Sequence, residues 1–434
     1  MEFLAEFAGN PERCAPSIHV AGSKGKGSFT GMAASVLEAA GMRAARYMSP
    51  HISDYRERIC LGNSFFDEDV YRAAGGELRD IADNRVPDSK NSLFDPACAE
   101  GEAPTFFEML TLFFFLCARE ARCDAMVVET GMGGRLDCTN IVNPLVSVIT
   151  FIELEHTAFL GGTIAEVAGE KAGIIKPGRP LVLARQNGEA LDVFRKRAAE
   201  KNSPLLYFPE AAAVGNVKVS PGGTDFTLSF NREFSRPGAP RFSSAPLELS
   251  VPIPGAVQAE NAALAALAVK TAFPGVDDDA VRRGLKRVNI PARFEKAAGD
   301  PPFIIDGAHT PESASLCAET FCSLYGEGGI LLFGCAADKN AAAMAEVLLP
   351  RFSLVIITAP GTFRASDPEK VYRAFSSGKA LFVKDTREAL RLALEKSREK
   401  KLPVLSAGSF YLASEVRAYI NDNYGGCHGS QNAG

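Results

Sequence analysis

The chain has 434 residues, 46% of them hydrophobic and 23% charged, with a formal net charge of −5. That length allows two or three domains with a sizeable core, and the acidic balance argues against a broad nucleic-acid footprint. No run reaches the ~20 apolar residues of a membrane span, and the start, MEFLAEFAGNPER, has neither the basic nor the apolar region of a secretory signal.

In chain order, Ile18-His19-Val20-Ala21 is predicted as a strand, followed by a Gly-rich turn and a helical run from Phe29 to Ala40. The stretch Thr111 to Cys117 (TLFFFLC) is predicted as a buried helix, and Ala125 to Val128 and Val146 to Thr150 as buried strands. Each apolar run ends in polar or Gly-rich residues, as parallel strands do where they feed functional loops. Between residues 205 and 250, alternating runs such as Phe226 to Phe230 (FTLSF), rich in neighbouring Pro and Ser, predict antiparallel hairpins and mobile loops. An Ala-rich helix is expected over Gln258 to Thr271. After a boundary at Val288 to Ala292, strands are predicted at Phe303 to Ile305, Ile330 to Phe333, Leu354 to Thr358 and Val404 to Ser406.

The expected fold class is therefore α/β. A doubly wound P-loop domain with a small antiparallel β portion would span 1–290, a smaller Rossmann-like domain 291–425, and a flexible tail 426–434. The ten cysteines, at 14, 60, 98, 117, 123, 138, 317, 322, 335 and 427, include no Cys-x-x-Cys pair. They read as reduced thiols of a cytoplasmic protein. Cys427 with His428 offers too few ligands for a metal site.

Chemistry is densest at Gly22-Ser23-Lys24-Gly25-Lys26-Gly27-Ser28, between the first strand and its helix. Glycines allow successive backbone N–H groups to point inward at an anion, and the helix N-terminus adds its dipole. Lys26 would reach the terminal phosphates of a nucleotide. Against the usual P-loop pattern, Val20 stands where the first Gly belongs and Gly27 where Ser or Thr belongs. A Gly-rich surface turn is the competing interpretation. Glu129 ends an apolar strand, where nucleotide hydrolases hold magnesium, and Gly131 to Asn140 (GMGGRLDCTN) comes next. Of five histidines, His51, His156 and His309 lie at turns beside acidic or Gly partners and point to function. His19, inside the first strand, is expected to be a satisfied structural residue and His428 a tail residue.

With these pieces together, the sequence resembles the folylpolyglutamate synthase and dihydrofolate synthase family, a branch of the Mur ligases. The matching segments run in order through the chain: HVAGSKGKGS (19–28), SPHISDYRERI (49–59), PTFFEMLT (104–111), ETGMGGRLDCTN (129–140) and EHTAFLGGTIAEVAGEKAGIIKPG (155–178). They continue with GAVQAENA (255–262), PARFE (291–295), DGAHTP (306–311), DKN (338–340) and AGSFYL (407–412).

The resemblance implies an ATP-dependent ligase that adds L-glutamate to folate, and to dihydropteroate in bifunctional members, through an acyl phosphate. It implies that Lys26 and the loop from Gly22 to Ser28 bind ATP phosphates, and that Ser49 and Glu129 hold a first magnesium ion. His156 would hold a second, with Lys171 carrying a carbamate that turns a repelling ammonium into an oxygen ligand. Asn261 would contact adenine, and Arg293, Asp306 and His309 would complete the nucleotide site on domain closure. Arg58 and Ser409 would hold the incoming glutamate, Arg58 by its bidentate fork, and Asp137 and Cys138 would meet the pteroate part. The implied partners are small molecules, with no nucleic acid or membrane, and the implied state is a monomer.

This chain departs from the family pattern at Ser23-Lys24 (usually Thr-Asn), Glu155 (usually Asp), Ala292 (usually Gly) and Thr310 (usually Asn), and it lacks a leading helical segment. Two other functions compete: a Mur-type amino-acid ligase acting on a nucleotide-sugar, and a non-catalytic nucleotide-binding module. A nucleotide-sugar ligase would need an N-terminal domain that is not evident. A binding module needs neither a second metal site nor a glutamate site.

Overall fold

The alternation of apolar runs and helical patterns folds into two α/β domains, in a computed structural model that describes residues 1–83, 104–231, 245–361 and 365–424. Cys98, Cys427, His428 and the 426–434 tail lie outside those residues.

In the first domain the strands are β1 (Ser17–Ala21), β2 (Ala44–Tyr47), β3 (Ile59–Leu61), β4 (Ser64–Phe65), β5 (Ala125–Glu129), β6 (Val146–Ile149), β7 (Leu181–Leu183) and β8 (Leu205–Tyr207). They form one sheet in the order β4-β3-β2-β5-β1-β6-β7-β8. From β2 to β8 every pairing is parallel, while β3 and β4 add an antiparallel edge. Central strands β1, β5 and β6 are buried along their whole length, which is why they read as continuous apolar runs and not as alternation. β1 lies between β5 and β6, so the chain leaves it at a topological switch point, where open α/β sheets bind ligands.

The helix after β1 spans Lys26–Ala39, beginning three residues before the predicted Phe29. Helices Ala256–Ala272 and Asp278–Arg287 pack with it over one sheet face in a single apolar core. Gly284 permits that approach, because a Cβ there would lie 2.4 Å from Val36 Cα. Helix Phe106–Glu120, capped at Thr105 and Glu108, buries its aromatic run against the other face. The antiparallel portion is a three-stranded sheet of β9 (Ala212–Ser220), β10 (Gly223–Phe230) and β11 (Leu247–Val251), as the alternating pattern predicted. Contrary to expectation, a short helix, Glu2–Phe7, does precede β1.

The second domain contains β12 (Glu295–Ala298), β13 (Phe303–Ile305), β14 (Gly329–Phe333), β15 (Phe352–Ile357), β16 (Ala380–Phe382) and β17 (Val404–Ala407). Their order is β12-β13-β17-β14-β15-β16, parallel except at β12, with an apolar core on each face. Among the described residues, no helix is long and apolar enough to cross a membrane.

Candidate active site

The Gly22–Ser28 segment leaves β1 and runs straight into a buried helix. Gly25 has φ +86°, and a Cβ there would sit 2.5 Å from Asn261 Oδ1, so the position favours glycine on both counts. The amides of Ser23 and Lys24 donate to Phe151 O at 2.9 and 3.2 Å, and Ser23 Oγ donates to Glu153 O at 3.0 Å. These bonds stitch the loop to the segment after β6. No side chain caps the Lys26–Ala39 helix, so its first N–H groups and its dipole are left for an anion. Lys26 Nζ donates to Gly22 O at 2.7 Å.

Glu129, at the end of β5, is buried, and the Ser49 amide donates to its Oε2 at 3.2 Å. Burial pushes the carboxyl up to about 7, against the pull of Lys26, the Ser49 bond and Arg293. A Cβ on Gly27 would lie 3.6 Å from Arg293 Nη2 and 3.7 Å from Glu129 Oε2, so the bare backbone of Gly27 lies close to both groups. Arg293, from the second domain, lies over the Phe410 ring, 4.5 Å from its centroid.

Asp306 comes directly after β13. It accepts N–H bonds from Phe294 at 2.8 Å and Ala308 at 2.7 Å, which shape the turn that carries His309. Burial raises its carboxyl, with Arg293 opposing. His309 Nδ1 is 2.8 Å from Gly307 O. A carbonyl can only accept, so Nδ1 carries the proton and Nε2 presents a lone pair. Burial pulls this imidazole down to about 3, which keeps it neutral.

The other flank is built on Lys171, at the end of helix Ile164–Lys171, whose start is fixed by a capping box of Thr163 and Glu166. Lys171 is 1% exposed and donates to Glu155 Oε1 at 2.8 Å and Gly22 O at 2.9 Å. Burial, with Lys26 nearby, pulls the amine down to about 8 although Glu155 opposes this. Burial alone would raise Glu155, but Lys26, Lys171 and the bond from Lys171 hold it below its ordinary value. His156 stands beside them at φ +46°, exposed at the start of the helix Thr157–Leu160.

A cavity of about 900 Å³ between the domains gathers Ser23 to Ser28, Ser49, Arg58, Glu129, Asp137, Cys138, His156, Asn261, Arg293, Asp306, His309 and Ser409. Gly22, Lys171 and His51 do not line it. Lys171 meets it through Glu155, and His51 braces a neighbour by accepting the Nε proton of Arg58 at 2.8 Å. Asp137 is engaged by its own loop: Oδ1 accepts from the Thr139 amide at 3.0 Å and the Thr139 hydroxyl at 2.5 Å, and Oδ2 from the Met132 amide at 2.9 Å. With the Thr139 hydroxyl donating to Asp137, its oxygen accepts from His19 Nε2 at 2.8 Å. His19 is fully buried, and the expectation of a satisfied residue holds at Nε2 only, since among the described residues its Nδ1 has no hydrogen-bond partner. Ser409 Oγ accepts from the Tyr411 amide at 3.0 Å, and Asn261 Nδ2 donates to Gln258 Oε1 at 3.2 Å.

Sequence reasoning missed Glu153 and Phe410, which also line the cavity. The signal for Glu153 was a pair of carboxylates two residues apart, Glu153 and Glu155, after an apolar strand. Among the described residues, no group of three or more His, Cys, Asp or Glu side chains is arranged to hold a metal.

The chain matches the Mur ligase middle domain over residues 97–269 and the Mur ligase glutamate ligase domain over residues 292–410. It is 34% identical to the folylpolyglutamate synthase of Lacticaseibacillus casei, over 95% of this chain and 92% of that protein. It is 31% identical to the dihydrofolate synthase/folylpolyglutamate synthase of Bacillus subtilis (strain 168), covering 96% and 93%. A probable bifunctional folylpolyglutamate synthase/dihydropteroate synthase of Haloferax volcanii is 32% identical over 95% of this chain, which spans only 47% of that longer protein. Among solved structures, the Mycobacterium tuberculosis folylpolyglutamate synthase complexed with ADP and AMPPCP superposes with TM-score 0.85 at 29% identity, covering 96% of this chain and 93% of that one. An FPGS–AMPPCP–folate complex gives TM-score 0.78 at 29% identity, covering 96% and 93%.

Proposed function

The chain belongs to the folylpolyglutamate synthase/dihydrofolate synthase family of Mur ligases, and we propose on that premise that it joins L-glutamate to a folate at the cost of ATP. The observation that carries this reading is the meeting of three features in one cavity: an uncapped helix N-terminus, a buried carboxylate and an arginine from the second domain. We take residues 1–290 as the ATP-binding domain and 291–425 as the glutamate-ligase domain. We take the enzyme to act as a cytoplasmic monomer on small molecules.

In this reading the nucleotide's phosphates lie on the amides of the helix start, Lys26 to Ser28, since those of Ser23 and Lys24 are bonded to Phe151 O, and on the Lys26 amine, which turns from Gly22 O to meet them. Asn261 faces adenine. His309 Nε2, a lone-pair acceptor on a neutral ring, suits a ribose hydroxyl and not a phosphate oxygen. The folate carboxylate attacks the γ-phosphate, the bond to the β,γ-bridging oxygen breaks, and ADP leaves an acyl phosphate behind. The glutamate amine then attacks that carbonyl, and phosphate leaves from the tetrahedral intermediate. Lys26 and Arg293 offset charge that grows at the phosphoryl group. Arg58 and Ser409 hold the incoming glutamate, while Asp137 and Cys138 border the pteroate. Closure of the domains over the cavity keeps water from the acyl phosphate.

The residues also fit magnesium. Glu129 is a buried carboxylate whose ionisation burial opposes, so a cation beside it would favour the charged form. A site with one or two protein ligands suits magnesium, which completes its shell with water and phosphate. Ser49 and Glu129 would hold the first ion, and His156 with a carbamylated Lys171 the second. When bound, the ions would neutralise charge on the transferring phosphoryl group. Lys171 suits carbamylation because a pKa of about 8 leaves roughly a tenth of the amine neutral at pH 7, and the neutral amine is the form that adds to carbon dioxide.

The test is ADP release with tetrahydrofolate or dihydropteroate as acceptor. Release that requires both the acceptor and L-glutamate is expected, and release indifferent to glutamate would remove the ligase assignment.

A further inference from the structure

Arg58 and Arg293 stand on different domains, and each has a carboxylate close by in sequence, Glu57 and Glu295. Both carboxylates shape backbone. Glu57 accepts the N–H groups of Ile52, Ser53 and Asp54 at 2.6, 3.1 and 3.3 Å, closing the turn that leads to Arg58. Glu295 accepts the Ala292 N–H at 2.9 Å, directly before Arg293. One guanidinium joins the two. Arg417, on helix Phe410–Tyr424, donates Nε to Glu295 Oε1 at 2.9 Å, and its Nη1 lies 3.7 Å from Glu57 Oε1. The three side chains are between 16% and 22% exposed, so this pairing is partly withdrawn from water. An apolar contact accompanies it: Ile52, from the same turn as Glu57, is buried in the core of the second domain with Ala292, Leu412 and Val416.

We propose that Arg417 is a positioning residue that ties the Arg58 grip on glutamate to the seat of Arg293, so that the amino-acid site is complete only when both domains share this bridge. An isolated, half-exposed ion pair would contribute little to stability. What sets this one apart is that its two carboxylates organise the two segments carrying the site arginines. Without the guanidinium, Glu57 and Glu295 lose their common cation, and the Arg58 turn, still closed by the Glu57 bonds, is joined to the second domain's core through Ile52. The proposal rests on the ligase reading and on Arg58 as glutamate's partner.

The test is steady-state kinetics of the full chain, varying L-glutamate, ATP and folate separately, for wild type, R417A, R417Q and R417K. A merely structural role would move all the constants together. The expected result for R417A and R417Q is a KM for L-glutamate raised about tenfold or more, with KM for ATP within about twofold of wild type. R417K should recover part of the loss. R417Q, neutral and of similar length, carries the same test should R417A fail to fold. An unchanged KM for glutamate, or equal shifts in every constant, would overturn the proposal while leaving the ligase reading intact. A wild-type chain with no glutamate-dependent turnover would remove both.

Discussion

Lys171 concentrates the chemistry of one residue: an amine 1% exposed, held by a carbonyl and a carboxylate, and pulled by burial towards neutrality. Replacing it with alanine is expected to lower turnover by ~10²-fold, the usual scale for removing a charge-stabilising group from a closed site. Added formate or acetate should restore part of that turnover in the variant, and full activity without it would refute the carbamate role. His19 makes a separate prediction about stability. Its folded value of about 3 lies below its ordinary 6.5, because burial disfavours the imidazolium and Lys176 adds to this. The neutral ring's contribution is therefore fully present above pH 6.5 and is lost as pH falls from 6.5 towards 3. H19Q should flatten that part of a Tm–pH curve, and an unaltered acid limb would show that His19 does not set it. That Glu129 and Lys26 would meet at one site was legible in residue type and position, since a carboxylate ending a strand and a lysine in a Gly-rich turn both suggest charge chemistry, and both line the cavity. His51 was not, because its bond to Arg58 depends on how the 49–58 turn folds.

At the level of elements, the loop between β1 and its helix is defined by the space its glycines leave. G25A would combine a φ of +86°, poor for an L side chain, with displacement of the Asn261 carboxamide. Strain of that kind costs on the order of 1–3 kcal/mol. It should appear as a lower Tm together with roughly tenfold weaker binding of a non-hydrolysable ATP analogue by calorimetry. Wild-type affinity in G25A would mean that the loop does not cradle the nucleotide. The central strands were readable because burial on both faces leaves an uninterrupted apolar run. The edge strands were not: β4 is two exposed residues, and β12, EKAA, has no apolar signature and is held by pairing with β13. The start of the first helix escaped for another reason. Lys26-Gly27-Ser28 has the composition of a turn, and it is helical because Gly25 turns the chain and the core buries the residues from Gly27 to Leu37.

On the scale of the whole molecule, the cavity is lined by loops that follow strands of both α/β sheets. The motifs lay in the sequence one after another, but which of them meet is a property of the assembled domains. Glu129, Gly27 and Arg293 converge from positions far apart in the chain, and so do Glu57, Glu295 and Arg417. The E129Q variant should test the first convergence. It keeps the shape and removes the charge, so turnover should fall by ~10²-fold or more, with the far-ultraviolet circular dichroism unchanged. Near-wild-type turnover would place the chemistry elsewhere. The most direct test of the ligase mechanism tracks oxygen. With ATP, L-glutamate and a folate whose terminal carboxylate carries oxygen-18, an acyl phosphate requires one labelled oxygen to leave with inorganic phosphate while the product gains one glutamyl residue. Label found in phosphate, in equal amount to the amide formed, is the expected result. Amide formed with unlabelled phosphate, or ATP cleaved with no amide, would contradict it.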